Sequence, residues 1–92
     1  MILRVRGSIV DFGLMYTVGM ISRDNIKTSA FNTYEAAIKD IKVWKQAILN
    51  NHIVEKRITT INRNSNNVVT TIREEFYTAD YGKIIVFLSE NN

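Results

Sequence analysis

The stretch NTYEAAIKDIKVWKQAILNN, residues 32 to 51, decides how the chain can fold. Tyr34, Ala37, Ile38, Ile41, Trp44 and Ile48 recur at spacings of three and four, which puts them on one buried stripe of an amphipathic helix. Glu35, Lys39, Lys42 and Gln46 fall on the opposite side, with Glu35 and Lys39 ordered for a weak i,i+4 pair. Asn32 or Thr33 opens the helix. Asn32 followed by Glu35 reads as a capping box, and Phe31 is placed to staple the entry. Asn50 and Asn51 are expected to end it, because Asn tolerates the left-handed conformation of a C-terminal cap. A second, smaller apolar stripe, Ala36, Val43 and Ala47 with Lys39 beside it, lies roughly 120° from the first and is a candidate partner-binding face.

Outside this helix the apolar period drops to two. ILRVRGSIV (2 to 10) and LMYTVGMIS (14 to 22) alternate as half-buried strands, joined by Asp11-Phe12-Gly13. That triplet also occurs in protein kinases, where it holds a catalytic magnesium. A kinase needs its phosphate loop, lysine and catalytic loop ahead of it, and only ten residues precede Asp11. The triplet is therefore read as a hairpin loop, with Gly13 free to take a positive φ. Residues 23 to 32 read as a polar, turn-rich connection.

After the helix, IVEKRITTI (53 to 61) and VVTTIREEFY (68 to 77) are rich in β-branched residues and flank NRNSNN, an antiparallel hairpin by its pattern. Setting Thr60 opposite Thr70 gathers Val54, Ile58, Ile72 and Phe76 on one face and Glu55, Arg57, Thr59, Thr71, Arg73 and Glu75 on the other. This register places Arg57 against Arg73 and Glu55 against Glu75, a conflict that only the diagonal pairs relieve. A turn at residues 79 to 82 leads to KIIVFL, apolar on both faces and so expected to be a central or covered strand. The sequence thus predicts an α+β fold of about five strands in the order ββαβββ, one antiparallel sheet with the helix packed on one face, and a single domain over residues 1–92.

Composition narrows the chemistry. With no cysteine there is no disulfide or thiolate metal site, which fits a reducing, cytoplasmic setting. Apolar runs fall far short of a membrane span, and Arg4 and Arg6 interrupt the only candidate signal segment. His52 is the one histidine and the acidic residues are scattered, so no metal or other cofactor is expected. A metal-independent ribonuclease would have to draw on His52, Glu55, Arg57, Arg73 and Glu75, charges that a soluble sheet face carries in any case. The chain is expected to be a non-enzyme.

Two binding classes remain. Net charge is +3, which permits a phosphate-rich partner without requiring one; Lys56, Arg57, Arg63 and Arg73 with the neighbouring threonines are the candidate RNA-binding residues. Stoichiometric contact with a protein, through Ala36, Lys39, Val43 and Ala47 or through an unpaired sheet edge, fits the shortage of catalytic groups better; an edge also invites pairing with a second copy as a homodimer. The absence of proline and the abundance of Asn and Ile are what an AT-rich genome writes. A complete small phage or mobile-element accessory protein that inhibits a host factor suits this composition.

Overall fold

In the computed structural model, which describes residues 15–91, the expected order ββαβββ is present. Among the described residues, β1 (Tyr16–Ile21), β2 (Ile26–Phe31), β3 (Val54–Arg63), β4 (Val69–Thr78) and β5 (Gly82–Glu90) form one sheet in the order β2-β1-β5-β4-β3, every neighbouring pair antiparallel. The helix α1 (Tyr34–Asn51) crosses one face over β1, β5 and β2. The strand expected at residues 2 to 10 and the Asp11-Phe12-Gly13 loop lie outside the described residues.

Thr33 is the N-cap: its backbone is extended and its hydroxyl accepts from the Ala36 N–H at 3.2 Å, occupying a donor the first turn leaves orphaned. Thr33→Ala removes that acceptor and is expected to cost about 1 kcal/mol, read as a fall of about 4–8 °C in the thermal midpoint by circular dichroism. The C-terminus differs from expectation. Asn51 is still helical, and His52 caps in extended rather than left-handed backbone, its N–H donating to the Ile48 carbonyl at 3.0 Å. Extended geometry suits the sequel, since Val54 must begin a strand two residues later.

Where a polar connection was expected, residues 26 to 31 instead form β2. Arg23 and Asp24 make a tight hairpin loop between Ser22 and Asn25, and β2 is solvated on both faces, so nothing demands apolar alternation there. The β3 and β4 register also differs. Thr60 faces Arg73 rather than Thr70, and Arg57 faces Phe76. This three-residue shift turns Arg57 and Thr59 to the helix side and leaves Arg73 and Glu75 on the other. It removes both like-charge pairs and sets Arg57 diagonal to Glu74.

The core lies between α1 and the centre of the sheet. Ala37, Ile41 and Ile48 meet Val18, Phe76, Ile84, Val86 and Leu88, all buried. β5 is the central strand that its apolar sequence predicted. Gly82 opens it at φ 84°, a backbone conformation that glycine adopts without steric cost.

Candidate functional site

Three groupings of side chains stand out, and the strand parities place each. The first is a charged cluster at the rim of the core. Glu74 sits between Ile72 and Phe76 on the helix-facing parity of β4 and is 3% exposed. Lys45 reaches down from α1 to its Oε2 at 2.6 Å, Arg57 Nη2 donates to Oε1 at 2.8 Å, and the Thr59 hydroxyl donates at 3.3 Å. Burial alone would raise the Glu74 carboxyl, but the hydrogen bonds from Lys45 and Arg57 outweigh it and hold the group below the ordinary carboxylate range. The Arg57 guanidinium also lies 5.0 Å from the Phe76 ring centroid. Every partner is accounted for, so this cluster ties helix to hairpin.

The second grouping is on the α1 and β2 side. Ala36, Lys39, Val43 and Ala47, the expected second stripe, are exposed, with Val43 64% exposed. Phe31, Glu35, Ala36, Lys39, Asp40 and Val43 line an open groove between the helix and the sheet edge. The Asp40 Oδ2 atom is buried there without a hydrogen-bond partner among the described residues. Alongside runs β2, paired to β1 on one side and to no described strand on the other. Ile26 at its start is 68% exposed.

The third is the helix-free face of the sheet, whose side chains form rows across the strands. One row is Lys56, Tyr77 and Lys83; the next is Ile58, Glu75, Ile85, Ile21 and Ile26; a third is Thr60, Arg73, Phe87, Gly19 and Thr28. A side chain at Gly19 would collide with the far end of the Phe87 ring. The glycine therefore makes room for Phe87 to lie across β1, an aromatic and glycine pairing that also pins the strand register. Glu75 accepts from the Tyr77 hydroxyl at 2.8 Å and from Arg73 at 3.1 Å, bonds that together hold its carboxyl low, while the same bond raises the Tyr77 phenol.

The four cations expected to bind nucleic acid are not on one surface. Lys56 and Arg73 are on the helix-free face, Arg57 is on the helix side, and Arg63 follows a bulge near the hairpin tip, donating to the Asn67 carbonyl at 3.2 Å. Of the residues a ribonuclease would use, Arg73 and Glu75 bond to each other on the helix-free face at 3.1 Å, whereas Arg57 is on the helix side. His52 lies at the foot of the helix, where Nδ1 meets Asp80 Oδ2 at 2.9 Å, and the hydrogen bond from His52 lowers the Asp80 carboxyl. Among the described residues no group of three or more His, Asp and Glu side chains is arranged to hold a metal ion, and no helix is long and apolar enough to cross a membrane.

Sequence reading missed Glu74 and the Phe87 face. Glu74 was hidden between two charged neighbours, although its spacing of two from Ile72 and from Phe76 marks it as inward-facing. Phe87 was hidden in an apolar run, where only Lys83 and Ser89, two and one steps along its own parity, mark the solvent side. No protein-family model, curated protein or solved structure matches the chain.

Proposed function

We propose that the protein is a non-catalytic binding protein that acts by stoichiometric contact with a protein partner, docked on the α1 and β2 side. The observation that carries this reading is the adjacency of two features: an exposed apolar helix stripe centred on Val43 and a strand edge that no described strand pairs, with the Phe31, Ala36 and Val43 groove between them. An extended segment of the partner adds to the β2 edge through main-chain hydrogen bonds, and an apolar side chain of that segment fills the groove. A donor from the partner satisfies the Asp40 oxygen that has none among the described residues. Protein of this kind, encoded in an AT-rich phage or mobile element, would inhibit a host factor by occupying it.

Val43→Asp tests the site, because a residue this exposed contributes little to folding. Immobilised protein is exposed to nuclease-treated lysate, bound proteins are identified by mass spectrometry, and the purified partner is then titrated. A stoichiometric partner is expected whose affinity falls at least about thirtyfold in the variant, the effect of losing a central contact. Equal capture by the variant would refute this docking site.

A further inference from the structure

We infer that the helix-free face of the sheet is a binding platform for single-stranded nucleic acid. The inference is independent of the protein-docking surface, which lies on the helix side and at the β2 edge. Single-strand binders combine aromatic rings, on which bases stack, with cations that track the phosphates. This face brings both together from residues that are distant in sequence.

Tyr77 on β4 is flanked in its row by Lys56 and Lys83, whose ammonium groups lie 5.6 and 5.9 Å from the ring centroid. Two rows along, Phe87 on β5 lies beside Arg73 and over Gly19. Two rows separate the rings by roughly 14 Å, enough for each to take a different base. Beside Phe87 is a hollow of about 300 Å³ lined by Thr60, Asn62, Thr71, Arg73 and Ser89, hydroxyl and amide groups suited to sugar and phosphate oxygens.

Charge favours this occupant. Lys56, Arg73 and Lys83 face one acid, Glu75, among the described residues of these rows, and that carboxylate is already engaged by Arg73 and Tyr77. The isoleucine row does not make the face a protein site of the usual kind. At its centre Ile85 is 8% exposed and Glu75 interrupts it, and its exposed members, Ile58 and Ile26, are held apart on the outer strands β3 and β2, so what remains accessible between them is mainly aromatic, cationic and hydroxylic.

The test is fluorescence anisotropy with a labelled single-stranded RNA of mixed sequence, the DNA strand of the same sequence, and the duplex. Saturable binding to a single strand is expected, with log K falling against log salt at a slope of about −2 for three phosphate contacts. Reversing charge in the Lys56→Glu, Lys83→Glu double variant should abolish it, and Tyr77→Ala should weaken it roughly tenfold. Both changes are at exposed or half-exposed positions, and thermal midpoints verify that each variant is folded. Stronger binding of RNA than DNA would support the platform with hydroxyl contacts to the ribose; equal binding would support it through stacking and phosphates. No binding at low salt, equal binding by the charge-reversed variant, or duplex bound as tightly as single strands would each overturn the inference. Val43→Asp should leave the binding unchanged, which separates a failure here from a failure of the protein-docking site.

Discussion

Phe76→Ala is expected to remove about 3–5 kcal/mol of stability, from a total of the order of 5–14 kcal/mol for a chain of this length. Phe76 is 0% exposed and heads the largest fully buried side chains; it sits on β4 facing Ile84 and stands next to the Arg57 guanidinium. Truncation leaves a cavity that the neighbouring strands cannot close, because Ile84 and Val86 are themselves fixed in the central ladder. It also strips Arg57 of the ring beneath it. The thermal midpoint should fall by at least about 12 °C. Ile26→Ala, at a solvated position of β2, should change stability by less than about 0.5 kcal/mol. Similar falls for the two variants in parallel melts would show that the core is not centred on Phe76.

Lys45→Met should cost about 2–3 kcal/mol at neutral pH. The substitution keeps the apolar stem and deletes the ammonium, so Glu74 remains buried with Arg57 and Thr59 alone. The loss is smaller than for an isolated buried pair because Arg57 still compensates. The sign of the pH effect follows from the carboxyl's depressed pKa. In the wild type the stabilisation from Glu74 is fully present above the ordinary carboxylate value of 4.5 and is lost as pH falls through the lower folded value. Without Lys45 the desolvation gains weight and the carboxyl rises, so protonation costs the variant less. Urea melts should therefore show the two proteins far apart near neutrality and converging below about pH 4. A gap that stays constant with pH would mean that Lys45 stabilises through its stem.

The helix was legible because a stripe at spacings of three and four over eighteen residues admits no other regular solution, and α1 (Tyr34–Asn51) follows it. β5 was legible for a related reason: its run IIVFL is apolar on both parities, as suits a strand with neighbours on each side, Ile84, Val86 and Leu88 lying under the helix and Ile85 and Phe87 on the other face. β2 was not, since a strand with no described neighbour on one side and almost wholly exposed side chains carries no burial signal, and IKTSAF reads as a linker. The hairpin register was misread because two Thr-rich strands slide past one another with little local penalty. What fixes it lies outside the hairpin, in the reach of Lys45 to Glu74. The same slip separated Arg57 from Arg73, so the candidate cationic surface could be named by residue type but not assembled. The outward helix stripe fared better, as helical geometry alone determines which of its residues share a face.

The strand order β2-β1-β5-β4-β3 has a consequence for how the molecule is made. Among the described residues the first hairpin and the second share no ladder; each pairs with β5, the last of the five described strands in sequence. Until β5 emerges, α1 lacks Ile84, Val86 and Leu88 as a floor, and neither hairpin can close the core. Closure of the core therefore depends on contacts between chain segments far apart in sequence, the class of topology expected to fold slowly. Chains that stop before Gly82 are expected to leave the apolar face of α1 without that floor, exposed surface of the kind that quality-control proteases act on.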